Sequence, residues 1–292
     1  FNQFEGKTMK KVLFATTAMV ATAGVAQADI TITGSAAMGL SHANNQTTNI
    51  SEVDFNIVGS GTSDNGYTFG AKVGVDNQVS GETGTDTGPA EDSSVFVSGT
   101  FGTVRMGSVD PATDGMGVAD LGHQGIGVDD VAELNKAIGS ADVNWSYAVD
   151  GFSVVLGYSS VNEDTSARVS YDAGTFAVSL GIANDRNSAT DTDTTTALQV
   201  STTLSGVGLT AYFSSFDDDS ANTTTDAIGL SASFALNDAT NVTFVYGDND
   251  TATDAAYGVG ASMNLGGGLS LAGAVGSVGD DTRWDLGLNM SF

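Results

Sequence analysis

The sequence closes on Trp284-Asp285-Leu286-Gly287-Leu288-Asn289-Met290-Ser291-Phe292. Every even position is large and apolar, and every odd position is polar or glycine. Successive side chains of a strand point to opposite faces, so one face of this segment suits hydrocarbon and the other water. Repeated along a chain and closed on an aromatic residue, the pattern predicts an outer-membrane barrel, whose strands face lipid on one side and an aqueous lumen on the other.

The same period recurs upstream. Phe176, Val178, Leu180 and Ile182 share one face. Tyr67, Phe69, Ala71, Val73 and Val75 share another, against Thr68, Lys72 and Asp76. Val53, Phe55 and Ile57 oppose Asp54 and Asn56, and Ile30, Ile32, Met38 and Leu40 align in the first segment. Alternation and turn signals predict about sixteen strands, near 29–41, 51–61, 67–76, 93–100, 103–109, 142–148, 152–159, 165–171, 175–184, 194–204, 207–216, 227–236, 241–248, 255–265, 269–278 and 282–292. Tight turns such as Asp64-Asn65-Gly66, Asp150-Gly151, Ser205-Gly206 and Gly266-Gly267-Gly268 alternate with longer polar connections, through Asn44, Asn45 and Thr48 and over 77–92, 110–141, 185–193, 217–226 and 249–254. The fold class is therefore an all-β, antiparallel up-and-down transmembrane barrel with both termini on the short-turn, periplasmic side. At this strand number the interior holds water rather than a packed core.

Lys10 and Lys11 follow Met9, Val12 to Val25 carries no charge, and Ala26-Gln27-Ala28 fits a small-x-small cleavage site. This is the pattern of a secretory signal peptide cut after Ala28. Residues 1–28 are expected to be upstream sequence plus leader, with Met9 the start, and 29–292 the barrel. No other stretch approaches the roughly 18 apolar residues of a membrane helix.

The chain has 35 acidic and 9 basic residues. Residues 1–28 hold Lys7, Lys10, Lys11 and Glu5, so 29–292 keeps 34 acidic and six basic residues. That charge excludes nucleic acid as a partner and favours cations at the surface and in the lumen; solubility or a saline habitat would select acidity as well. The chain has no cysteine, which excludes thiol chemistry. The only histidines, His42 and His123, lie in predicted loops with no paired nucleophile, so an enzyme is not expected.

The longest connection, 110–141, opens on Asp110-Pro111 and carries Asp114, Asp120, Asp129, Asp130 and Glu133, with His123 and Lys136 as its basic candidates. Val131, Leu134 and Ile138 are spaced for a short helix, with Asp129 and Asp130 near its positive end. A loop of this length is either a mobile surface excursion or a functional element; folded inward, it would narrow the barrel.

The stretches Asp29-Ile-Thr-Ile-Thr-Gly34, Ile57-Val-Gly-Ser60, Gly66-Tyr-Thr-Phe-Gly-Ala-Lys72 and Gly107-Ser-Val-Asp110, with the terminal Phe292, resemble the general porins of alphaproteobacteria such as purple phototrophs. The likeness spans 29–292. It implies a sixteen-stranded barrel, a homotrimer in outer-membrane lipid, and passive diffusion of ions and small hydrophilic solutes without a cofactor. It also implies that the third extracellular loop, here Asp110 to Ala141, forms the constriction, with its acids opposed by basic residues on the wall. Phe292 would be the signal read by the barrel-assembly machinery. Parity puts Lys72 and Arg105 inward near mid-height, and Arg168 and Arg283 inward at the outer rim. This basic set is smaller than the family's usual cluster, which predicts a cation-favouring channel.

Several alternatives stay open. Asp217-Asp218-Asp219, Asp191 with Asp193, and Asp248 with Asp250 offer oxygen ligands for calcium, or are solvated loop acids. Gly34 and Ala36 suit a subunit contact on the lipid face. Tyr67, Trp145, Tyr171 and Trp284 suit interfacial girdles. The rival functions are a substrate-selective outer-membrane channel and a secreted Gly/Asp-rich adhesin or surface-layer protein, although the short fixed repeat of a solenoid is lacking.

Overall fold

The computed structural model describes residues 29–78, 93–134, 139, 141–188 and 191–292. In chain order the strands are β1 (Asp29–Ala43), β2 (Gln46–Thr62), β3 (Thr68–Gln78), β4 (Ser93–Gly99), β5 (Gly102–Val109), β6 (Ala141–Val149), β7 (Phe152–Tyr158), β8 (Thr165–Asp172), β9 (Phe176–Ser188), β10 (Asp191–Leu204), β11 (Val207–Asp218), β12 (Thr223–Ala235), β13 (Thr240–Asn249), β14 (Ala256–Gly266), β15 (Leu269–Val278) and β16 (Asp281–Ser291). Each pairs antiparallel with its sequence neighbour, and β1 pairs with β16 to close the barrel. Closure leaves no open edge, the condition for a sheet to satisfy its backbone in lipid.

The exposure pattern is inverted relative to a soluble protein. Ile30 is 65% exposed, Leu180 59% and Leu286 53%, all on the outward parity. The aromatics band at the two ends. Tyr67 with Phe101, and Phe152 with Tyr171 and Phe176, ring the short-turn end. His42 stacks on Trp284 at 5.6 Å at the other end. Phe292 joins the first band: its N–H and carbonyl exchange hydrogen bonds with Gly34 (2.9 and 2.7 Å). Its ring lies over Gly34 and meets Phe55 edge-on at 5.8 Å. The small residue at 34 thus accommodates an aromatic of its own chain, a reason distinct from the subunit contact expected there.

All sixteen expected strands are present, and the differences lie at the long-loop end. β2 begins at Gln46 rather than near 51, so the expected polar loop shrinks to the two-residue turn Asn44-Asn45 (φ 52° and 58°). That left-handed pair is the type I′ geometry that Asn tolerates and that matches strand twist. β9, β10, β11 and β12 likewise run on to Ser188, Asp191, Asp218 and Thr223. These extensions are Thr- and Asp-rich, so they lack an apolar face while keeping β-branched residues. Of the helix expected at Val131, Leu134 and Ile138, the described residues hold one turn, in which the N–H groups of Ala132 and Glu133 reach the Asp129 carbonyl (2.9 and 3.1 Å). The Val131 and Ala132 carbonyls accept from Asn249 Nδ2 (2.8 Å) and Ser214 Oγ (2.7 Å) on the wall. Ile138 and Lys136 lie outside the described residues, as does most of the connection after β3.

Candidate functional site

The chain leaves β5 at Val109 and turns into the barrel. Pro111 can start the turn because its missing N–H is not needed there. The Ala112 N–H donates to Ser166 Oγ of β8 (2.7 Å), and Arg168 of β8 donates to the Asp114 carbonyl (2.6 Å). The Gly117 N–H then reaches Gln199 of β10 (3.2 Å). At the far side Asp285 of β16 accepts from the N–H groups of His123 (2.7 Å) and Gln124 (2.9 Å), and Gln124 Nε2 donates to Glu52 of β2 (3.0 Å). Arg283 donates to the Ile126 carbonyl (3.3 Å). The two arms of the loop are braced by Glu133, whose Oε1 accepts from the Val118 N–H (2.8 Å).

Under the loop lies most of the apolar core of the molecule. Leu121, Ile126 and Val128 bury against Val245 and Ala256, and Met116 against Ala197 and Tyr212. Complete burial of each such side chain contributes about 1.5–3 kcal/mol. That is larger than the net 0.5–1.5 kcal/mol of a single hydrogen bond, so apolar contact holds the loop down and the hydrogen bonds fix its path. With Gly157 of β7, where a Cβ would stand 3.3 Å from the Ala112 nitrogen, these contacts fall on the arc from β7 through β16 to β1 and β2. The exposed side of the loop therefore faces the remaining arc, β3–β6.

Asp110, Asp114, Asp120 and Asp130 are exposed on the loop, whereas Asp129 (8% exposed) and Glu133 (4%) are buried. On the facing arc, Lys72 of β3 and Phe96 of β4 flank Ser94 of β4, and Arg105 of β5 donates to Ser94 Oγ (3.4 Å) while its guanidinium lies 5.4 Å from the Phe96 ring centre. Lys72 makes no ion pair among the described residues. Arg168 and Arg283 belong to the loop's anchorage, and Arg283 also pairs with Asp281 (2.9 Å). Arg186 pairs with Glu163. Parity gave Arg168 and Arg283 an inward face and said nothing of their partners or of Arg186. Sequence reasoning missed Asp285, Ser166, Gln199, Ser214 and Asn249 as loop anchors; the available signal was inward parity beneath a long loop.

The acidic runs at the long-loop end accept hydrogen bonds within their own turn or from a neighbouring strand end. Asp218 accepts from Ser220 Oγ and the Ala221 N–H (both 2.8 Å), Asp219 from the Thr192 N–H (3.3 Å), and Asp193 from the Asp219 N–H (3.1 Å). Among the described residues no group of three or more His, Asp or Glu side chains is disposed to hold a metal ion.

A family model for Gram-negative porins matches residues 15–283. The chain is similar to a porin of Rhodobacter capsulatus, 26% identical over 280 residues that cover 80% of this chain and 90% of that one. It is also similar to a porin of Fuscovulum blasticum, 28% identical over 268 residues that cover 83% and 90%. In fold it matches mutant forms of Rh. blastica porin, with TM-scores of 0.76 and 0.75 at 21% and 22% identity, each over 90% of this chain and 100% of the other.

Proposed function

Because the chain belongs to the Gram-negative porin family, we propose that its outer-membrane channel passes ions and small hydrophilic solutes by passive diffusion and favours cations. No bond is made or broken in this mechanism, and no cofactor is required. Water fills the arc between the loop and β3–β6, and solutes are sorted by size and charge as they pass.

The observation that carries the charge preference is the exposure of four acids on the loop. Four exposed carboxylates, Asp110, Asp114, Asp120 and Asp130, lie on the loop, against Lys72 and Arg105 on the facing wall. Carboxylates along a pore attract cations. The effect is local, because the Debye length is about 8 Å at physiological ionic strength. The two wall cations oppose it from the other side, so the preference is moderate and weakens in high salt.

We further propose three copies in the membrane, with Phe292 read during insertion by the assembly machinery. Single-channel recording of 29–292 in planar bilayers tests the channel itself. Stepwise, ohmic conductance increments are expected; a folded barrel that adds no conductance would overturn the proposal.

A further inference from the structure

The wall beneath the loop is surfaced with glycine. Gly181 (β9), Gly229 (β12), Gly247 (β13), Gly258 (β14) and Gly276 (β15) all take inward positions and an ordinary strand φ, so left-handed backbone does not explain them. Glycine inside a strand weakens it and marks a place where another segment approaches closely. Here the approaching segment is the loop. A Cβ at Gly181 would stand 2.6 Å from Met116 Sδ and 2.8 Å from Thr113 Cγ2. At Gly229 it would stand 2.8 Å from Ala132 Cβ and 2.9 Å from Val118 Cγ1, and at Gly247 2.7 Å from the Val128 carbonyl oxygen. At Gly258 it would stand 2.8 Å from Leu121 Cδ1, and at Gly276 2.7 Å from the Tyr257 carbonyl oxygen of β14 and 2.8 Å from Ile126 Cδ1 of the loop. By contrast, a Cβ at the outward Gly59 meets nothing within 4 Å.

We propose that this glycine floor sets the bore of the channel. The inference rests on the channel reading above and adds the residues that determine size. Non-bonded carbons settle at about 3.5–4.0 Å, so a methyl at Gly229, which meets Ala132 Cβ rather than the far end of a flexible side chain, demands a displacement of about 1 Å. The wall is held on both sides by strand ladders and cannot retreat. The loop has water on its other side and yields in that direction, narrowing the passage. The size limit is thus built into residues that no solute touches.

The test compares wild type with Gly229→Ala plus Gly258→Ala, using single-channel conductance and the largest sugar that enters proteoliposomes. Both are expected to fall in the variant. Gly229→Ala alone, the milder change, should move both readouts in the same direction. Adding Ala132→Gly and Val118→Ala to Gly229→Ala moves methyl groups from loop to wall and should return conductance toward wild type, which a general loss of stability would not predict. Gly59→Ala should match wild type. Wild-type conductance and sugar limit in a folded Gly229→Ala protein would overturn the proposal, as would a compensated variant that stays narrow. A wild type without conductance would instead refute the channel reading and, with it, this one.

Discussion

Asp285 fixes the turn of the loop at His123. Its carboxylate is 3% exposed and accepts three backbone N–H groups, from His123, Gln124 and, at 3.0 Å, Ala274 of its own wall. Gly122 beside it has φ 99°, and a side chain there would run into the carboxylate. Leaving a buried donor unsatisfied costs about 1–3 kcal/mol, so Asp285→Ala should free this end of the loop. The expected result is a lower heat-modification temperature and flickering conductance, with Asp285→Asn milder because its amide oxygen still accepts. Steady wild-type conductance in Asp285→Ala would argue against the anchor. His123 is the second sensitive residue. It is 8% exposed, neither ring nitrogen has a hydrogen-bond partner among the described residues, and the ring packs on Gly39 and Gly287. Burial pushes its pKa below the ordinary 6.5, against the opposing pull of Asp285 on β16 and Glu52 on β2. An undocked loop therefore binds the proton more readily than a docked one. Docking is at full strength above the ordinary value of 6.5 and weakens as pH falls through it toward the lowered value. Protease cleavage of the loop should rise between about pH 7.5 and pH 5 in wild type and stay flat in His123→Gln. A flat wild-type profile would remove His123 from the account.

At the scale of the element, closure depends on the last strand. The β1–β16 register runs from Ser35↔Ser291 to His42↔Trp284, and Phe292 adds two backbone hydrogen bonds and an aromatic lid over Gly34. Deleting Phe292 removes both bonds, each worth a net 0.5–1.5 kcal/mol or so. The deletion should slow folding into detergent or lipid and lower the heat-modifiable fraction; an unchanged folding rate would show that the terminal residue is dispensable. The strands were legible because a two-residue period is imposed wherever lipid lies on one face and water on the other. Their upper ends were not. Over Asp191–Thr196 and Thr223–Asp226 both faces lack a large apolar residue, so no period marks the strand. The loop's existence, its start at Pro111 and its acids were legible too. Its division into exposed Asp114, Asp120 and Asp130 and buried Asp129 and Glu133 was not; for Glu133 it follows from a brace to the Val118 N–H fifteen residues away. The inward glycines did carry a signal, because a water-filled lumen has no use for a missing side chain at Gly229 or Gly247.

At the scale of the molecule, the six basic residues of 29–292 are used unequally. Arg168 and Arg283 hold the loop and Arg186 pairs with Glu163. Lys136 is outside the described residues, which leaves Lys72 and Arg105 on the arc that faces the loop acids. Selectivity should therefore follow the exposed loop carboxylates and these two wall cations. Neutralising Asp129 or Glu133 should affect loop stability more than ion preference. The most direct measurement is the reversal potential across a salt gradient for wild type, Asp114→Asn with Asp120→Asn and Asp130→Asn, and Lys72→Gln with Arg105→Gln. The predicted result is a cation-selective wild type, a loop variant shifted toward neutrality and a wall variant shifted to stronger cation preference, with all three converging at high salt. An anion-selective wild type, or a cation-selective one indifferent to both sets of substitutions, would contradict it.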